Sequence, residues 1–214
     1  LGYEFRYVRN VLSVKDFIPL IGFPDLSGVY TSPRLFPLFS QRVMAPRRPD
    51  FSRYVESLDL TEDADPWEQL TRSEGRRAGD TIMVFPEPTI GSEGRTQSNF
   101  LVHGIRHAVP EQDIDDRLRS LRKGDRLALV PEPTNPVNPR AIHTVDRQSV
   151  PLGWVPDLLL DYVHTVTGTG PHELVVQHVN GPEAPIHLRL LVRLTGSVPA
   201  GYKAFSGAAW GPVG

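Results

Sequence analysis

The segment DRLALVPEPTNPVNPRAIHTV, residues 125–145, tolerates very few backbones. Two apolar runs rich in β-forming residues flank a core in which Pro133, Pro136 and Pro139 recur at every third position. Proline fixes φ and removes a ladder donor. The core therefore cannot continue either run as a paired strand. Asn135 and Asn138 can hold turns by accepting hydrogen bonds from nearby backbone. The segment reads as a rigid corner between two strands, and everything else in the chain must accommodate that corner.

The same punctuation continues elsewhere. With 21 prolines and 18 glycines in 214 residues, the chain has room only for short elements. The second half predicts strands at NFLVHGI (99–105), DRLALV (125–130), RAIHTV (140–145), VPLGWV (150–155), HELVVQHV (172–179) and IHLRLLVRL (186–194). It predicts two helices. VPEQDIDDRLRSLRKG (109–124) opens at Pro110, has acids early and bases late, and closes at Gly124. PDLLLDYVHTV begins at Pro156. Short strands with two helices indicate an α+β fold built on a small closed or nearly closed sheet.

The first half is more mixed. YEFRYV (3–8) and TIMVF (81–85) read as strands. Helices are expected from about Leu35, after Asp50, and after Asp65, where Pro66 takes the first helical position and Gly75 ends the run. PTIGSEGRTQ, 88–97, is polar and Gly-containing and reads as a linker. The chain thus divides into a smaller mixed α/β module at 1–97, a β-barrel domain at 98–196 and a C-terminal tail at 197–214.

Several function classes drop out. A net charge of −2 predicts no partner by itself, and without cysteine there is no disulfide scaffold, thiol nucleophile or Cys-based zinc site. That composition is expected of a reducing cytoplasm. No apolar run approaches the ~20 residues of a membrane helix, and no leader pattern is visible. His103 and His107 are four apart, but Gly104 and its neighbours favour a strand and no HExxH glutamate lies between them, so no metal site is expected. Nucleophile elbows and phosphate-binding glycine loops are absent. No catalytic residues and no cofactor are assigned.

Charge runs are more informative. Thr31 to Arg53 holds five arginines against one acid, interleaved with Phe51 and Tyr54. Arg47 and Arg48 could contact phosphate, since guanidinium forks onto phosphate oxygens. Alternatively the run is a solvated surface paired with Glu56 to Glu68, which holds six acids and no base.

From Phe100 to His164 the pattern resembles a HIRAN domain: FLVHGIRH, a helix, GDRLALVPEPTNPVNPRAIHTV, then VPLGWVP and a second helix. That resemblance implies an OB-like or SH3-like small β-barrel, a family found attached to DNA-remodelling helicases and alone in bacteria. It further implies recognition of single-stranded DNA or a DNA 3′ end. The matching positions are Arg106, His107, Ala108, Asn135, Val137 and Asn138, with Arg140 as a further phosphate contact. Ala108 and Val137 stand where stacking aromatics belong, and Asn138 stands where the family has an aspartate. Asparagine still accepts through its carbonyl, without the charge.

A shorter stretch, FIPLIGFPDLSGVYTSPRLFPLF, is similar to the N-terminal segment of HipA-type toxin kinases, with no kinase core present. It implies a small protein of bacterial or phage type. Two functions therefore stand side by side. One is a non-enzymatic DNA-binding protein. The other is a docking module that meets a protein partner through residues 30–55, around Phe36, Phe39 and Phe51.

Overall fold

A computed structural model describes residues 2–214. Its main element is a seven-stranded antiparallel sheet of order β3-β4-β9-β8-β5-β6-β7. The strands are β3 (Thr89–Ile90), β4 (Arg95–Leu101), β5 (Arg126–Pro131), β6 (Ile142–Val145), β7 (Pro151–Trp154), β8 (Glu173–Val179) and β9 (Leu190–Ser197). A two-stranded sheet, β1 (Tyr3–Phe5) with β2 (Tyr30–Ser32), lies in the N-terminal module. The helices are α1 (Pro37–Ser40), α2 (Phe51–Ser57), α3 (Pro66–Arg72), α4 (Ile105–Ala108), α5 (Ile114–Arg119) and α6 (Leu160–Thr169). Among the described residues no helix is long and apolar enough to cross a membrane.

The α+β class is observed, but the sheet does not close into a barrel. One isolated bridge ties its last strand to the chain just beyond β4: His103 and Trp154 exchange backbone hydrogen bonds of 2.9 and 2.8 Å. Further pairing stops because Gly104, at φ 68°, turns the chain into α4. Gly153 permits the contact. A Cβ on it would lie 2.3 Å from the His103 carbonyl oxygen.

The main core lies on one face of this sheet. Phe100 of β4 and Leu190, Val192 and Leu194 of β9 meet Ile114 and Leu118 of α5 and Tyr162, Val163 and Val166 of α6. The opposite face of the same two strands is also covered. Leu101 and Leu191 pack with Leu58 and Leu188, flanked by Tyr54 and Leu60. Strands buried on both faces lose the inside-outside alternation of a half-exposed sheet. Polar ties reinforce this docking. Asn180 donates to the carbonyls of Ser57 (2.7 Å) and Leu188 (2.6 Å), and Gln177 donates to Asp59 at 2.6 Å.

Several expectations need correction. Residues 88–97 are no linker, because Thr89–Ile90 pairs with Thr96–Gln97 as a hairpin at the sheet edge. TIMVF forms no strand; Val84 N–H finds the Glu74 carbonyl instead of a ladder. Residues after Ser197 fold back, with Val213 N–H on the Tyr7 carbonyl and Arg9 N–H on that of Gly211, so they are not a loose tail. Asp65 does cap α3, in a reciprocal box with Glu68. Asp50 sits before α2, but its carboxylate binds Arg48 instead of helix N–H groups.

The apolar patch expected around Phe36, Phe39 and Phe51 is not an open one: the first two rings are half-buried and the third is buried. Phe51 is buried, and Phe36 and Phe39 pack on Phe23. Nor is the arginine run uniformly solvated. Arg42 is buried, with its guanidinium on Asp80 (2.6 and 3.0 Å) and on the Leu38 and Gly75 carbonyls.

Candidate nucleic-acid interface

The proline corner and α4 face each other across an open cleft of about 610 Å³. His107 of α4 lies on one side, and Asn135, Val137 and Asn138 of the corner on the other. Trp154, Pro156 and Leu158 continue the wall after β7, while Met83 and Phe85 reach in from the N-terminal module. Apolar surface with a few fixed polar groups is the usual make-up of ligand pockets, which run roughly 300–1,000 Å³.

The corner is built as its sequence requires. Glu132 N–H donates to the Ala141 carbonyl across its base, and Asn135 and Ala141 N–H close turns onto Glu132 and Asn138. The Asn135 carbonyl oxygen accepts from the N–H groups of Val137 and Asn138, both at 3.0 Å. Its amide nitrogen donates to Glu132 at 2.7 Å. Asn135 is thus committed to shaping the cleft. Asn138 donates to Asp157 at 3.1 Å and accepts from Arg140 N–H at 3.0 Å, so its side chain ties the corner to the opposite wall.

Glu132 was not a candidate in the sequence, yet it organises the site. Besides Asn135 it takes the Trp154 indole N–H at 2.7 Å and lies 3.3 Å from His143 Nε2. His143 and Trp154 are cross-strand partners on β6 and β7, and their rings stack at a centroid distance of 4.6 Å. One carboxylate therefore fixes both the corner and the indole. The Asn135 hydrogen bond, then that of Trp154, holds the Glu132 carboxyl below its ordinary value of 4.5, against partial burial, with His143 adding to the effect. A depressed carboxylate stabilises the fold above its unfolded value, and this stabilisation is lost as pH falls through the folded value. The cleft should hold above pH 4.5 and loosen below it. An acid titration of the Trp154 indole N–H resonance should show this, and Glu132→Gln should remove the transition. Identical titrations in both proteins would mean that another group carries it.

The sequence candidates divide. His107, Asn135, Val137 and Asn138 line the cleft, but Arg106 is exposed on α4 and does not. Arg140 is exposed and engaged with Asp161. Ala108 packs against the core. Arg47 and Arg48 lie elsewhere on the N-terminal module, Arg47 exposed and Arg48 paired with Asp50 at 2.9 Å. His103 does not share a helix face with His107, because it sits in the bridge ahead of α4. It meets the buried Glu74 at 2.9 Å and the Arg76 guanidinium at 2.8 Å. Trp154 had a signal, the aromatic in LGWVP; Met83 and Phe85 had none, since only folding brings them there.

No family model and no curated sequence matches the chain. Among solved structures it is similar to a protein from Lactobacillus plantarum, at 20% identity and TM-score 0.39 over 50% of this chain and 100% of that one. It is also similar to the HIRAN domain of human HLTF, at 15% identity and TM-score 0.33 over 50% of this chain and 78% of that one.

Proposed function

We propose that the cleft between α4 and the proline corner binds the end of a single DNA strand, in a HIRAN-like domain that performs no catalysis. The observation that carries this reading is convergence. His107 comes from α4, Asn135 and Asn138 from the proline corner and Trp154 from β7, and all four line one cleft. A base would lie against the apolar wall of Trp154, Phe85 and Met83, in place of the rings absent at positions 108 and 137. His107 within the cleft and Arg106 beside it would meet phosphate. Glu132 serves this site as an anchor, its Oε2 meeting Asn135, Trp154 and His143.

Fluorescence anisotropy with 3′-hydroxyl and 3′-phosphate oligonucleotides at two salt concentrations tests the proposal. His107→Ala and Arg106→Ala, both at exposed positions, should each weaken binding about tenfold, roughly 1.4 kcal/mol, without moving the unfolding midpoint. No binding at low salt, or binding indifferent to both variants, sinks it. Affinity that ignores the 3′ group and falls steeply with salt would reduce it to non-specific attraction.

A second reading, a protein-docking module, is favoured by one observation. Leu12, Ile18 and Ile21 are 63%, 82% and 87% exposed on the N-terminal module. A pull-down recovering only nucleic acid would count against it.

A further inference from the structure

The cleft does not end at Met83. That residue also borders a second depression of about 490 Å³, whose walls include Arg76, Arg77 and His187. Arg76 and His187 in turn line a third, of about 530 Å³, with Arg42, Arg48 and Tyr54. The third has no acidic side chain among its lining residues. Met83, then Arg76 and His187, make the three depressions adjoin in a row, a furrow from the proline corner across the N-terminal module.

Glu132 and Asp157 line the furrow's first section, Asp80 its second, and no acid its third. Asp80 pairs with Arg42, Glu74 with Arg76 and Asp50 with Arg48, and of these carboxylates only Asp80 borders the furrow, in its middle section. Arg48 spends two N–H groups on Asp50, leaving three of the five that a guanidinium offers. Arg77 is exposed, with one contact of 3.3 Å to Gln41 and no ion pair among the described residues. His187 sits at the join, its pKa pushed down mainly by burial and then by Arg76.

We propose that this furrow carries the phosphodiester backbone of a single strand away from the cleft, with Arg77 and Arg48 as its phosphate contacts. The proposal rests on the cleft reading above and gives the N-terminal module a part in it. Of the five arginines at 31–53, Arg42 is structural and Arg48 faces the furrow.

Anisotropy with single strands of about four and about twelve nucleotides, within the span of known single-strand sites, separates the two parts. The longer strand should bind more tightly and with a steeper salt dependence. Arg48→Gln combined with Arg77→Gln should lower the longer strand's log–log salt slope by about 1.4, two contacts at roughly 0.7 each. Its affinity should fall about tenfold or more at low salt, while the short strand is unaffected. Equal affinity and slope for both lengths, or a double variant that matches wild type, overturns the furrow and leaves the cleft standing. Binding of the longer strand alone, weakened in the double variant, keeps the furrow and overturns the cleft. Binding of neither overturns both.

Discussion

Gly153→Ala is expected to destabilise the protein by about 4 kcal/mol, from a strained backbone plus overpacking. Gly153 has φ 150°, and an added Cβ would lie 2.3 Å from the His103 carbonyl oxygen and 2.6 Å from a Val102 methyl. Neither is the far end of a flexible side chain. Relief requires breaking the His103–Trp154 bridge, which also moves Trp154 out of the cleft wall. Gly124→Ala is the control. Its φ is 88°, but nothing lies within 4 Å of the new methyl, so it should cost only about 1 kcal/mol. Urea unfolding of the two variants decides the matter. Equal midpoints would show that the seam yields and that the bridge does not set the cleft.

Asn180→Ala should cost about 3 kcal/mol, because two carbonyls lose their donor, at 1–3 kcal/mol per buried unsatisfied group. Asn180 is 7% exposed, and its amide reaches Ser57 at the end of α2 and Leu188 beside the second core. The loss should be felt at the junction. Hydrogen exchange should accelerate in α2 well before it does in β8 and β9. Uniform acceleration across the chain would mean that the N-terminal module and sheet unfold as one cooperative unit.

Most strands of the main sheet are legible in sequence, because β-forming runs there stop at Gly or Pro. The hairpin at 88–97 hides for a physical reason. The inward residues of its second strand, β4, include Thr96 and, just beyond the hairpin, Ser98, which are polar and buried. Thr96 is satisfied by the Thr89 carbonyl at 2.8 Å and the Tyr162 hydroxyl at 3.0 Å. A strand whose inner face is hydroxyl looks like a linker to any hydrophobic count. TIMVF failed in the opposite way: it is β-prone but pairs with no strand, and its Met83 and Phe85 are used as cleft wall. Short α4 was invisible because NFLVHGI reads as one strand until Gly104 turns it. In the site, the corner reading of Asn135 and Asn138 as turn-holders is met by their hydrogen bonds, whereas their part in binding came only from the resemblance. Glu132 drew no notice because an acid between two prolines looks like solvated loop until its three partners are folded onto it.

The two-faced burial of β4 and β9 bears on how the chain can be divided. Residue 97, the boundary that composition suggests, falls inside a strand. A cut there would strip the cover from Leu101 and Leu191, remove the wall that Met83 and Phe85 supply, and turn interior into surface. The N-terminal module behaves as a second lid on the sheet, so the smallest piece that keeps the cleft intact must include it.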